Sequence, residues 1–227
     1  MSLIIEIRAG EGGSDSKDLI ELQFGIYCKY AKRNKINIIL LSKLPSIITF
    51  RAEGNQADRF FSKEAGILKW QRVPPTEKRG RVHTSTITVA VLPEPQEFQI
   101  PTFTKDEIEI KTARGSGPGG QHRNVTDSAV QIKHLATGII VRCEGERSQT
   151  QNKAEAIRIL AAKLLAKEKE SAYLFRANQR KEQVGVGGRG EEKIRTIRIQ
   201  EGLVYNHINE KTLSYKDYVR GKLEEMS

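Results

Sequence analysis

Gly115-Ser116-Gly117-Pro118-Gly119-Gly120-Gln121 places four glycines in seven residues and ends on a single glutamine. Glycine visits backbone regions closed to other residues, so such a run bars any regular helix or strand. Arg114, His122 and Arg123 bracket it, and Asn124-Val125-Thr126-Asp127 follows with cap-forming side chains. Exposed amides flanked by positive charge suit an anionic partner such as phosphate, whereas a flexible linker is the bland alternative for a glycine-rich stretch. Gln121 suits a hydrolytic role: its backbone amide, freed by Gly119 and Gly120, can donate to a developing oxyanion. Its neutral side chain can sit beside the reacting carbon and exclude nucleophiles larger than water.

Little other chemistry is on offer. His83, His122, His134 and His207 are scattered with no i,i+4 pair, and Cys28 and Cys143 lie far apart with no CxxC spacing. No metal site is expected, and two thiols so placed read as structural residues in a reducing compartment. No GxxxxGK[ST] loop is present, and Gly10-Glu11-Gly12-Gly13 resembles a phosphate turn only weakly. No Ser or Cys stands at a nucleophile elbow, and no cofactor is implied. Any hydrolysis must therefore come from positioning water and stabilising a transition state, in a site that another molecule supplies.

The charge balance names that molecule's class. Across 227 residues, 38 Lys+Arg stand against 28 Asp+Glu, a net charge of +10. Residues 111–181 alone carry 14 basic and 6 acidic side chains, so most of the excess travels with the glycine run. Nucleic acid or another polyanion is the favoured partner, with a solvated helix face as the plainer explanation of part of the excess. No stretch approaches 18 consecutive apolar residues and no signal peptide is visible at the N-terminus, so neither a membrane nor export is expected.

The elements that must position the run follow from periodicity. Ile4 to Arg8 alternate as a strand, a glycine turn follows with Ser14, Asp15 and Ser16 as N-cap candidates, and a helix is expected over 17–33. Strands are expected over 36–41, 47–52 and, more weakly, 65–70. Gln71-Arg72-Val73-Pro74-Pro75-Thr76-Glu77 comes next, where two consecutive prolines stiffen a loop and exclude a central strand. Residues 82–92, rich in Thr and Val, read as the clearest strand. Pro93, Pro95 and Pro101 mark a linker. Beyond it a strand is expected over 107–111, a hairpin over 129–143, and a helix over 149–183 whose second half projects from its domain. The tail, with strands over 193–199 and 203–206 and a helix from Tyr215, is too short to bury its own core and is expected to complete the first sheet. The fold class is therefore α+β, with a mixed-sheet domain over 1–98 completed by 186–227, and a smaller α+β domain with a long helix over 99–185.

Gly117-Pro118-Gly119-Gly120-Gln121, with Asn124 to Val130 and Arg147-Ser148-Gln149, resembles the catalytic domain of bacterial-type class-I peptide-chain release factors. Glu6 to Gly10, Gln71 to Glu77, Gly80 to Ser85 and Glu192 to Thr196 are similar to the same family, in its order along the chain. The resemblance implies a factor that reads a stop codon in the ribosomal A site and triggers hydrolysis of P-site peptidyl-tRNA through Gly119, Gly120 and Gln121. Its partners are then the mRNA stop codon, the rRNA of both subunits and the peptidyl-tRNA, in the cytoplasm or an organelle matrix, with the factor acting as a monomer that stimulates hydrolysis rather than as a free-standing enzyme. Pro74-Pro75-Thr76 looks like the Pro-x-Thr codon motif of the UAA/UAG-reading branch. By position, the resemblance assigns Thr76 to the second-base purine, His83 to stacking at that base, Gln71 and Thr84 to the third base, and Gly12 and Asp15 to the first uridine. It also implies N5-methylation of Gln121 by a glutamine methyltransferase. Departures stand at Glu11, Ser14 and Asp15 in the helix tip and at Leu68, Lys69 and Trp70, and the family's N-terminal helical domain is not matched. The alternative is a codon-independent ribosome-rescue factor, against which stand the retained codon loop and an ending, Lys222 to Ser227, that is not basic.

Overall fold

The computed structural model describes residues 2–94, 101–104, 106–116, 126–185 and 193–224. The chain divides into two compact units, one of Met1–Pro95 with Phe175–Ser227 and one of Gln96–Leu174.

The first unit is built on an eight-stranded sheet. Its strands are β1 (Ser2–Ala9), β2 (Asn37–Leu44), β3 (Ile47–Glu53), β4 (Gly66–Arg72), β5 (His83–Pro93) and, from the tail, β9 (Lys193–Arg198), β10 (Leu203–Asn206) and β11 (Thr212–Ser214). They lie in the order β11-β10-β9-β4-β5-β1-β3-β2, all antiparallel except β9 against β4. The tail thus does complete the first sheet, as its lack of a core of its own demands. Strand β5 is paired on both edges, with β1 and with β4, and β-branched Thr and Val suit such a position.

Helix α1 (Ser14–Arg33) lays Leu19, Ile20, Ile26 and Tyr27 on the sheet, all at most 1% exposed. The core beneath it is aromatic: Phe50, Phe60 and Phe61 surround Tyr27 with ring centroids 5.4–6.3 Å away. Each such side chain stabilises the unit by about 2 kcal/mol through burial. Phe60 and Phe61 sit on a short helix, α2 (Ala57–Phe61), followed by a 3-10 turn over Ser62–Glu64. Helix α1 starts three residues earlier than its periodicity indicates, and no side chain caps it. The hydroxyl of Ser16 instead donates back to the carbonyl of Gly13 at 2.9 Å.

The second unit holds a three-stranded antiparallel sheet, β6 (Ile108–Ala113), β7 (Ala129–His134) and β8 (Ile140–Cys143), in that order. Ala156 and Leu160 of the long helix α3 (Gln149–Val184) pack on Val130, Ile132 and Val141. The last turns of α3 leave this unit. From Phe175 they belong to the first unit, where Gln183 exchanges two 2.8 Å hydrogen bonds with the backbone of Val91 and Arg180 pairs with Glu6 at 2.7 Å. Helix α4 (Tyr215–Val219) closes the first unit, capped by Ser214, whose hydroxyl accepts from the Asp217 amide.

Candidate functional site

Residues 73–82 form the loop between β4 and β5, and the strand register fixes its mouth: Gln71 lies opposite Thr84 and Arg72 opposite His83. Pro74 is buried, whereas Pro75 and Thr76 are exposed at the tip, and Thr84 and His83 are exposed at the base. The amide of Glu77 donates to the carbonyl of Pro74 at 3.0 Å, closing the proline pair into a turn. The Glu77 carboxylate then faces inward, 6% exposed, and gathers the rest of the loop. Oε1 accepts from the Arg79 amide at 2.7 Å, and Oε2 accepts from Nε and Nη2 of Arg81 at 3.1 and 3.0 Å. Nε2 of His83 lies 2.9 Å from the same Oε2. The Arg79 amide foremost, then Arg81, with His83 adding to them, hold this carboxyl below the usual range.

Two further elements brace the loop's base. The β1–α1 turn is stitched to β5: Gly10 N donates to Thr86 O at 2.9 Å, Thr86 N to Glu11 O at 2.7 Å, and Glu11 N to the Thr86 hydroxyl at 2.8 Å. The stitch needs glycine at position 12, with φ +127° and Ser85 Oγ 2.4 Å from where a Cβ would stand. From the other side, the tail supplies Ile199, whose amide donates to Gln71 O at 3.1 Å. Gln200, with its amide turned to satisfy both partners, donates to the same oxygen at 3.2 Å and accepts from Val73 N at 2.9 Å.

The structure therefore brings Gln71, Pro74, Pro75, Thr76, His83, Thr84 and Gly12 to one end of the sheet. Asp15 is there too, but its carboxylate turns inward: it is 4% exposed and paired with Arg72 at 2.7 Å. The exposed residues of the turn are Glu11, Gly12, Gly13 and Ser14. The tail itself is held from below by a buried network, in which Glu64 accepts from Arg195 and from the Tyr27 hydroxyl at 2.7 Å, and Tyr218 donates to Gln23 at 2.9 Å. Burial raises Tyr27 well above the usual phenol value and pushes Tyr218 up to about 12.

Gly119, Gly120 and Gln121 lie outside the described residues. Their two flanks do not. On one side, the Ser116 amide and hydroxyl donate to Glu144 at 3.1 and 2.9 Å, and Arg142 donates to the same carboxylate at 2.9 Å. Those donors, Ser116 before Arg142, hold Glu144 down to about 2. On the other side, Gln149 donates to Asp127 O at 2.7 Å, and buried Asn152 donates to Ser128 O at 2.8 Å and Glu146 O at 2.9 Å. The first turn of α3 thus clamps one flank while β8 and the residue after it clamp the other.

Sequence reasoning assigned no role to Glu77, Arg72, Gln200, Glu144 or Asn152. Glu77 carries a visible signal, a lone acid ahead of Lys78, Arg79, Arg81 and His83; the others act through pairings that only the fold creates. Among the described residues, no group of three or more His, Cys, Asp or Glu could hold a metal ion. Nor is any helix among them long and apolar enough to cross a membrane.

Residues 1–89 match the PCRF domain and residues 96–208 the RF-1 domain. Peptide chain release factor 1 of Acetivibrio thermocellus is 42% identical over 99% of this chain and 64% of its own length. That of Thermotoga maritima is 42% identical over 98% of this chain and 67% of its own length. Among solved structures, RF2 of Thermus thermophilus is 30% identical and aligns with a TM-score of 0.54 over 99% of this chain and 66% of its own. The chain thus spans about two thirds of the length of the proteins it matches.

Proposed function

This chain belongs to the peptide chain release factor family, and on that footing we propose that it ends translation at a stop codon, UAA and UAG before UGA. The observation that carries the reading is the loop over 73–82: its exposed tip, Pro75 and Thr76, stands on a base fixed by β4, β5, the β1–α1 turn and the tail. A proline-stiffened loop loses little entropy when it meets unpaired bases, so its hydroxyl and imidazole groups can be spent on recognition. Thr76 and His83 read the second position, Gln71 and Thr84 the third. Because the Asp15 carboxylate is committed to Arg72, the backbone around Gly12 and Asp15 meets the first uridine.

The first unit, Met1–Pro95 with Phe175–Ser227, serves as the reading domain, and the second, Gln96–Leu174, as the domain that acts on P-site peptidyl-tRNA. In that domain Gly119 and Gly120 let the Gln121 amide approach the ester carbonyl as water adds to it. The amide stabilises the oxyanion. As the oxyanion collapses the ester C–O bond breaks, and the tRNA 3′ oxygen leaves as a hydroxyl with a proton from the attacking water, whose oxygen stays on the released peptide's carboxylate. No protein side chain serves as nucleophile; the surrounding site is ribosomal RNA, and the factor works wherever those ribosomes do, in the cytoplasm or an organelle matrix. Clamped flanks at Ser116 and Asp127 suit this, since a loop that must deliver one amide gains from fixed ends.

The test is release of labelled peptide from ribosomes stalled at UAA, UAG, UGA or a sense codon. Rapid release at UAA and UAG with little at the other two is expected. Equal release at all four contradicts codon reading and leaves a rescue factor in its place.

A further inference from the structure

We propose that Glu77 is a positioning residue for codon discrimination, acting through His83. The proposal rests on reading the loop over 73–82 as the codon reader.

Three observations carry it. First, an inward-facing carboxylate in a strongly basic loop is expensive to desolvate unless its oxygens are occupied, and both oxygens of Glu77 are: Oε1 by the Arg79 amide and Oε2 by Arg81 and His83. Second, the 2.9 Å approach fixes the chemistry of the imidazole. A carboxylate only accepts, so Nε2 of His83 carries the proton and donates it to Glu77, leaving Nδ1 as the open ring atom. The ring plane and tautomer are thereby set before any base arrives, although the side chain of His83 is 47% exposed. Third, the same residue closes the loop that presents Thr76, since its backbone amide ends the turn begun at Pro74. One residue therefore fixes the relative placement of the two groups assigned to the second base, without touching that base.

An alternative is that Glu77 merely folds the loop. The two roles separate in a double-mutant cycle. Release is measured as kcat/KM at UAA and at UGA for the unaltered factor, Glu77→Gln, His83→Ala and the pair, on the whole chain with intact ribosomes. Glu77→Gln keeps one acceptor oxygen and the side-chain volume, so it tests orientation rather than collapse; circular dichroism checks that it folds. Charge-assisted hydrogen bonds of this kind contribute enough for roughly tenfold in kcat/KM. The expected result is a loss of about that size at UAA for Glu77→Gln, a reduced UAA-to-UGA ratio, an unchanged maximal rate at saturating factor, and no further loss when it is added to His83→Ala. An equal loss in both backgrounds, or an unaltered UAA-to-UGA ratio, overturns the proposal. Failure of the codon-reading function itself shows separately, as equal release at UAA and UGA by the unaltered factor.

Discussion

The carboxylate of Asp15 and the guanidinium of Arg72 lie 2.7 Å apart with little solvent at either, joining the first turn of α1 to the last residue of β4. One end of this pair is the helix tip and the other is the root of the loop over 73–82. The two surfaces proposed to meet a codon are therefore one mechanical piece.

Removing one partner leaves the other charge buried and unpaired, which costs about 3 kcal/mol or more. Asp15→Ala should lower the urea midpoint accordingly. Asp15→Ala with Arg72→Met should recover most of the loss, because a buried pair replaced by apolar groups is close to neutral. A double variant no more stable than the single one contradicts this.

The Glu64–Arg195 pair, 0% exposed on both sides, ties the tail to the 3-10 turn after α2. Arg195→Met should destabilise the first unit by about 3–5 kcal/mol. Hydrogen exchange should show β9 to β11 opening first, and with them the brace that Ile199 and Gln200 give the loop. Uniform protection loss across the sheet contradicts the assignment of this pair to the tail.

How much of this was legible beforehand varies with the range of the interaction. Period-2 and period-3.6 patterns located nearly every long element, because burial on one face writes itself into local sequence. Sheet order did not follow, since β9 meets β4 with Gln71 opposite Arg198 and no local pattern records such a pairing. Helix α2 and the turn after it are too short to show a period. Strand β2 runs past a bulge at Leu40 and Ser42, which breaks its alternation. Pro74-Pro75-Thr76 was readable because proline acts locally. The inward turn of Asp15 was not, because its partner lies on another element.

Alkaline stability follows from the buried tyrosines. Tyr27 and Tyr218 titrate higher in the folded chain, Tyr218 at about 12, than the ordinary phenol near 10. The unfolded chain then loses protons first as pH rises, so their contribution is complete below about pH 10 and is lost towards 12. Denaturant melts from pH 8 to 11.5 should show stability falling above 10, and Tyr218→Phe should soften that fall. A flat profile contradicts the burial of both hydroxyls.

Glu144 gives the opposite sign. Its folded value of about 2 lies below the usual carboxylate range, so its contribution is present above about pH 4.5 and fades as pH falls towards 2. Glu144→Ala should unfasten Ser116 and Arg142 at neutral pH. Release at UAA should slow while the UAA-to-UGA ratio stays constant, because the flank, and not the reader, is disturbed. A changed ratio contradicts that division.

The division between reader and trigger is the central claim, and it is tested most directly by measuring binding and release together for Gly120→Ala. With ribosomes stalled at UAA, this variant should bind as tightly as the unaltered factor and release almost no peptide. Normal release, or a loss of binding that matches the loss of release, contradicts the account.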